Sequence, residues 1–363
     1  MISIETAVVG SYFFVLSLLA VYGVHRYFLV YLYMKYRNRV PVPSGSSDPL
    51  PFVTIQLPIF NEMYVVNRLI DAVCEIDYPR ELLEIQVLDD STDNTQEIAK
   101  VAVHRHAVEG LDIWYLRRDT RQGFKAGALN EGLKCARGKF VVVFDADFVP
   151  PREFLRRTIP LFKDSTVGMV QARWGHINRD YSILTKVQAI LLDGHFVVEH
   201  GGRHRAGRFF NFNGTAGIWR RDAIESAGGW QHDTLTEDLD LSYRAQLDGW
   251  TFIFVQDLEV PAELPVEMDA FKSQQRRWAK GSVQTCRKLL PRLWRSQLPL
   301  KIKIEAYFHL LAYLHYVPML ALSFLIVPSV HIRYHMGWHG LLYVDAVLFC
   351  VAAVRRLWDV KNW

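Results

Sequence analysis

Four cysteines in 363 residues, Cys74, Cys135, Cys286 and Cys350, have neither metal-ligand nor paired spacing. Neither a disulfide scaffold nor a thiolate metal site is indicated, and with a cytoplasmic domain free thiols are expected. Met1–Glu5 lacks the basic stretch of a secretory signal, and no small-residue cleavage site follows it. No internal repeat or low-complexity tract occurs. The net charge of +4 is modest, and its basic residues crowd beside apolar segments, which favours anionic lipid over nucleic acid as a partner. Charge itself is missing from Ala7 to Val24 and from Ala306 to Val330. Both runs are near the roughly 20 residues that span a bilayer's hydrocarbon. Met336–Val354 is a third, weaker candidate because it carries Asp345.

Lys35, Arg37 and Arg39 follow the first run, and Arg287, Lys288, Arg292, Arg295, Lys301 and Lys303 precede the second. Positive charge on the cytoplasmic side puts the intervening domain in the cytoplasm. A buried core helix is the alternative for each run. The expected organisation is a membrane helix in 1–40, a Pro/Ser/Gly linker at 41–51, a cytoplasmic domain over 52–283, an interfacial amphipathic stretch at 284–303, and membrane helices over 304–363. The natural protein is expected to continue past Trp363.

Within the domain, strands and helices alternate. Strands are expected at Phe52–Leu57, Glu84–Leu88, Leu111–Leu116 and Lys139–Phe144, with helices at Tyr64–Glu75, Asn94–Ala107 and Ala126–Ala136 between them. This predicts an α/β fold with a mostly parallel sheet flanked by helices, and ligands outside the carboxyl ends of its strands. The second half predicts helices at Glu153–Phe162, Leu184–His200 and Glu237–Leu247, a strand around Asn213–Trp219, and helix again at Ser273–Ala279. Gly201-Gly202 and Gly228-Gly229 read as turns.

Four polar signatures stand out in order. Asp145 and Asp147 follow the apolar strand Lys139–Phe144 at a spacing of two, on one face if the chain stays extended. Two hard oxygen donors there suit Mg²⁺ or Mn²⁺, with diphosphate oxygens completing the shell. Asp89 and Asp90 end another strand, and Asp93 or Asn94 suits the cap of the next helix. The two acids before that cap are free to accept from a base or ribose, or to help at a metal. Thr234-Leu235-Thr236-Glu237 matches a capping box. Asp238 is surplus to it and is suited to deprotonate an attacking hydroxyl. Gln274, Arg277 and Trp278 stand at i, i+3 and i+4, one helix face on which an indole can carry a sugar ring and a guanidinium can pair with diphosphate. Trp294 fits a membrane-interface aromatic belt better than Trp278 does. Lys125 opens a helix after Gly123, a placement that suits phosphate. His331, His335 and His339 have helical spacing but fall on the far side from the domain, so no metal site is expected there.

Together these residues make the chain resemble family 2 glycosyltransferases, specifically the processive, membrane-embedded polysaccharide synthases, from about Phe52 through Ser282. The resemblance implies a GT-A fold, an inverting single displacement, and a divalent metal on Asp145 and Asp147. It implies nucleotide contacts from Pro58, Asn61, Glu62, Asp89 and Asp90, and diphosphate contact from Lys125. The Thr-Glu-Asp motif supplies Glu237 and the base Asp238, and the last motif supplies Gln274, Arg277 and Trp278. Phe212–Arg220, with Asn213 and Gly214, looks most like the cellulose-synthase-like mannan and glucomannan synthases. Bacterial cellulose synthases usually have Cys-Gly-Ser where this chain has Asn213-Gly214-Thr215, and their gating loop and cyclic-di-GMP domain are not found here. The implied partners are a nucleotide sugar (GDP-mannose or UDP-glucose), a β-linked polysaccharide acceptor and membrane lipids. Transfer of one sugar to a lipid, and a catalytically silent subunit of an envelope assembly, are the alternatives.

Overall fold

The computed structural model describes residues 3–41 and 49–353. Most of the expected linker and the tail Trp358–Trp363 lie outside the described residues. Seven strands form one sheet: β1 (Val53–Ile59), β2 (Leu83–Asp89), β3 (Ile113–Arg117), β4 (Phe140–Val143), β5 (Val167–His176), β6 (Gly217–Arg220) and β7 (Thr251–Ala262), in the order β3-β2-β1-β4-β6-β5-β7. The pairs β1·β2, β1·β4, β2·β3 and β5·β7 are parallel, and β6 runs antiparallel to both neighbours. The sheet is thus mostly parallel, as expected, with one reversed strand.

Helices cover both faces, which is why β1, β2 and β4 bury side chains of both registers. Val53, Ile55, Leu57, Val142 and Phe144 pack on one side with Leu69, Ile70 and Phe154. Val141 and Val143 pack on the other with Leu129, Phe212, Trp219 and Trp230. Burying each of these aliphatic side chains contributes about 1.5–3 kcal/mol.

Several boundaries differ from expectation. Strands β5 and β7 were not foreseen, and the strand expected at Asn213–Trp219 pairs only from Gly217. Residues 213–216 instead form a loop in which Gly214 (φ 82°) and Ala216 (φ 53°) are left-handed. The helix expected at Glu153–Phe162 is α-helical only over Phe154–Thr158, then narrows to a 3₁₀ turn, Ile159–Lys163, at Pro160. The helix expected at Leu184–His200 is α-helical over Ile183–Asp193 and widens to a π-helix over Gly194–His200. Gly201-Gly202 is helical rather than a turn, and its glycines serve packing: a Cβ on Gly202 would stand 3.1 Å from the Leu29 carbonyl oxygen. Small residues here let the first long helix lie against the domain.

That helix, Ile4–Tyr36, and Ala312–His335 are each long and apolar enough to cross a membrane. The second expected run began at Ala306. In the structure Ala306 and Leu310 close the helix Leu300–Leu310 and are buried with Leu239, Tyr243, Leu289 and Leu293 of the domain. Phe324 and Val327 are each 72% exposed, which suits hydrocarbon outside the protein rather than a protein core. Asp345 in the helix Leu341–Ala353 is neutralised by Arg333 at 2.8 Å and accepts from the Tyr12 hydroxyl at 3.0 Å. The pair offsets the carboxylate's charge, but the described helix has 13 residues, fewer than the roughly 20 that span hydrocarbon. The helix Met268–Arg295 runs unbroken through the boundary expected at 283/284, and a separate helix starts at Leu300.

Candidate active site

The ends of β1, β2 and β4 open on the same edge of the sheet, and the expected site residues gather there. After β1 with its Pro58, Asn61 (φ 57°) donates its N–H to Ser91 Oγ at 2.9 Å and accepts at Oδ1 from Thr92 N at 2.9 Å. The two strand-end loops are thereby tied together. Asp93 accepts from Thr95 N at 3.0 Å, an i→i+2 turn contact, and neither it nor the N-cap residue Asn94 makes the side-chain cap expected. Asp89 is 1% exposed and committed within the protein: it accepts from Ser91 N and from the Tyr115 hydroxyl, both at 2.8 Å. Asp90 is engaged by both arms of Arg118, with Nε at 3.0 Å. Both aspartates are expected to accept from a base or ribose or to help at a metal; these protein partners are an addition to that expectation. Their partners, Tyr115 and Arg118, sit at and just beyond β3, too far along the chain to be read from the motif.

At the end of β4, the Asp145 N–H donates to Thr215 Oγ1 at 2.9 Å. Lys125 Nζ donates to Asp145 Oδ1 and, at 2.9 Å, to the Gly214 carbonyl. Burial would lower the Lys125 ammonium's affinity for its proton, but Asp145, Glu237 and Asp238 outweigh it and hold the pKa above its ordinary value. Burial and the charges of Asp145 and Glu62 push Asp147 up to about 7. Glu62 is raised by burial and by Asp145. This end of the sheet therefore carries more carboxylate than its own cations balance.

Across the site, Thr236 precedes the helix Glu237–Leu247. The capping box does not form. Thr234 donates instead to the Thr236 carbonyl at 3.3 Å, and the Thr236 hydroxyl meets Thr285 Oγ1 at 3.2 Å on the long helix. Asp238 Oδ1 accepts from Leu239 N at 2.7 Å. A Cβ placed on Gly214 would lie 3.2 Å from Asp238 Oδ2 and 3.5 Å from Lys125 Nζ. One glycine thus stands between the candidate base and the candidate phosphate-binding cation. Burial, then the neighbouring Glu237, raises Asp238 to about 7. Burial raises Glu237 too, with Lys125 and Arg277 opposing.

Gln274, Arg277 and Trp278 lie on the helix Met268–Arg295, and Arg277 reaches Glu237 electrostatically. The helix is held there by Gly281, one turn on, whose Cβ would stand 2.5 Å from Thr236 Cγ2 and 2.9 Å from Thr236 N. Sequence reasoning missed Gly281, because only the facing backbone shows why no side chain fits. Gly281→Val should push Arg277 and Trp278 away from Glu237 and lower turnover by about tenfold or more. Steady-state rates with circular dichroism as the fold control would check it, and unchanged turnover would remove Gly281 from this role.

The profile described as glycosyltransferase-like family 2 matches residues 51–281. This chain belongs to that family. Among curated relatives of this glycosyltransferase-like chain, glucomannan 4-beta-mannosyltransferase 1 of Oryza sativa subsp. japonica is 44% identical over 260 residues, 70% of this chain and 50% of the relative. Glucomannan 4-beta-mannosyltransferase 2 of Arabidopsis thaliana is 46% identical over 258 residues, 70% of this chain and 48% of the relative. The chain spans about half the length of these relatives. Among solved structures, a mannosyltransferase from Pyrobaculum calidifontis in complex with GDP-Man and Mn²⁺ superposes with a TM-score of 0.62 at 23% identity, covering 95% of this chain and 99% of that one. S. aureus TarS superposes with a TM-score of 0.51 at 16% identity, covering 72% and 43%. The family 2 chain therefore has the GT-A fold expected from its sequence.

Proposed function

We propose that this protein is an inverting, membrane-embedded hexosyltransferase that extends a β-linked polysaccharide from a nucleotide sugar, with GDP-mannose preferred to UDP-glucose and β-1,4-mannan or glucomannan as product. The observation that carries the reading is the meeting of Lys125, Asp145 and Asp238 around Gly214 at the carboxyl edge of the sheet. The preference for mannose rests on the mannosyltransferase names of the relatives.

In this reading Lys125 and Arg277 bind the donor's diphosphate. Asp238 takes the proton from the acceptor's terminal hydroxyl, whose oxygen attacks the anomeric carbon as the bond to the nucleoside diphosphate breaks. Attack from the face opposite the leaving group inverts the anomeric centre and gives a β-linkage from an α-linked donor. Trp278 holds the acceptor end so that addition can repeat.

Asp145 and Asp147 suit Mg²⁺ or Mn²⁺. They are hard oxygen donors, and a cation would offset both the burial and the charges of Asp145 and Glu62 that raise Asp147. Among the described residues, no group of three or more His, Cys, Asp or Glu could hold a metal ion; the two carboxylates would need phosphate oxygens to complete a shell. When bound, such an ion supplies positive charge to the leaving diphosphate. The two long apolar helices support a membrane location with lipid as partner, and the flanking Lys/Arg clusters support a cytoplasmic catalytic domain.

The test uses the protein in lipid vesicles with Mn²⁺ or Mg²⁺, given radiolabelled GDP-mannose and UDP-glucose separately. Products are sized and digested with mannanase and cellulase. The expected result is long, mannanase-sensitive polymer from GDP-mannose. A single labelled lipid from either donor would replace polymer synthesis with transfer to lipid. No transfer from either would overturn the enzyme reading.

A further inference from the structure

The loop that carries Gly214 is gripped from behind by two histidines. Asn213 Nδ2 lies 3.0 Å from His195 Nε2, and Asn213 Oδ1 lies 2.7 Å from His200 Nε2. The protons can be assigned from the neighbours. His200 Nε2 also faces the Asn211 carbonyl at 3.0 Å, and a carbonyl only accepts, so this nitrogen carries the hydrogen. Asn213 Oδ1 then accepts from His200, and its amide nitrogen donates to an unprotonated His195 Nε2. His195 Nδ1 consequently holds the other hydrogen and points it at Glu199 Oε2, 3.4 Å away. His200 Nδ1 is buried without a partner among the described residues, as suits a bare nitrogen. Both rings are neutral: burial lowers His195 well below its ordinary value and His200 to about 3.

The π-helix makes this grip possible. In an α-helix, residues five apart point about 140° away from each other. Over Gly194–His200 the wider i→i+5 turn brings them to the same side, and the two imidazole centroids are 4.3 Å apart. The same turn is fixed to the membrane helix. Glu199 pairs with Arg26 and Arg203, Arg203 with Glu305 at 3.0 Å, and Glu305 with His25 at 3.0 Å. On the other side, Gln171 Oε1 accepts from Asn213 N at 3.0 Å, while its amide donates to the Thr215 carbonyl at 3.0 Å.

We propose that His195 and His200 are positioning residues. Through Asn213 they fix the 213–215 loop, so that the Gly214 carbonyl aims Lys125 and the Thr215 hydroxyl holds the Asp145 backbone. The role rests on the glycosyltransferase reading for its consequence in catalysis, and on geometry alone for the clamp.

The experiment compares His200→Phe and His195→Phe, which keep an aromatic ring but no hydrogen bond, with His200→Gln and His195→Gln, whose side-chain amides can donate or accept where Nε2 stood. Two readouts are taken on the protein in vesicles: rates of sugar transfer against donor concentration, and calorimetric binding of GDP or UDP with Mn²⁺. The Phe variants should lose on the order of tenfold to 100-fold in kcat/KM and bind the Mn²⁺–nucleotide more weakly, the range expected when a reacting group is misplaced by about 1 Å. The Gln variants should recover most of both. A purely structural role would not be rescued by hydrogen-bonding capacity. Should the Phe proteins fail to fold, His200→Asn, one methylene too short to reach Asn213, takes their place. Phe or Asn variants that fold and match wild type in both readouts would overturn the clamp. Wild type that binds Mn²⁺–nucleotide but transfers no sugar would overturn the enzyme reading instead, and nucleotide binding alone would then decide the clamp.

Discussion

Asp238→Asn should reduce sugar transfer about 1,000-fold while leaving donor binding intact, since a positioned general base typically contributes 10²–10⁴-fold. The substitution is mild for the fold. The Asn side-chain oxygen can still accept from Leu239 N, which Asp238 Oδ1 does at 2.7 Å, and no volume is lost beside Gly214. What disappears is the capacity to take a proton. The pH dependence gives an independent reading of the same group. Burial, followed by the Glu237 charge, raises Asp238 to about 7. Its base form is therefore the minor form below that pH, and kcat/KM should fall about tenfold per unit as pH drops below about 7, with a plateau above it. Glu237→Gln removes the neighbouring charge that helps raise Asp238. It should move the limb to lower pH without abolishing turnover, although Arg277 then loses a partner across the site. Rates measured from pH 5 to pH 9 for the three proteins separate the carboxylates. Near-normal turnover by Asp238→Asn, or loss confined to Glu237→Gln, would move the base to Glu237.

What could be read from the sequence follows from where each physical cause lies. Strand β4 is a continuous apolar run and β1 and β2 are rich in Val, Ile and Leu, so all three were visible, and the acids at the ends of β2 and β4 stood out against them. Strands β5 and β7 were missed, and polarity alone does not set them apart from β1 and β2, which carry Thr54, Gln56, Glu84 and Gln86; the polar residues of β5 have partners remote in sequence. Gln171 serves the Asn213 loop, and Arg173 pairs with Glu259 on the adjacent strand. The Thr-Leu-Thr-Glu run satisfied a local rule, yet Thr236 spends its hydroxyl on Thr285, 49 residues away. The protein partners of Asp89 and Asp90 were likewise invisible because Tyr115 and Arg118 come later in the chain. Residue types and their order picked out residues that the fold gathers at one edge of the sheet. Which side chains hold it in shape depended on contacts between segments, and the π-helical turn had no local signature at all.

Asp147→Asn should abolish Mn²⁺-dependent donor binding and, at the same time, make the metal-free protein more stable at neutral pH. The two effects share one origin. Asp145 is balanced by Lys125, whereas burial and the negative charges of Asp145 and Glu62 leave Asp147 with a proton affinity raised from the ordinary 3.8 to about 7. Between those two values the native state holds a proton that the unfolded chain has already released. Stability of the metal-free protein therefore falls as pH rises through that window and is level above it. Asn has no proton to lose, so the variant should show a flatter unfolding midpoint between pH 4 and pH 7 and a higher one at neutral pH. A divalent cation relieves the same repulsion, and it must displace the Asp147 proton to do so. Below about pH 7 apparent Mn²⁺ affinity should weaken by about tenfold per pH unit, with one proton released per ion bound. Calorimetry of Mn²⁺ and GDP binding in buffers of different ionisation enthalpy counts that proton directly. If Mn²⁺ affinity proved independent of pH from 5 to 8, with no proton released, Asp147 could not be a ligand. If affinity survived Asp147→Asn but vanished in Asp145→Asn, the ion would belong on the Lys125 side of the loop, and the stabilising effect at Asp147 would be electrostatic relief alone.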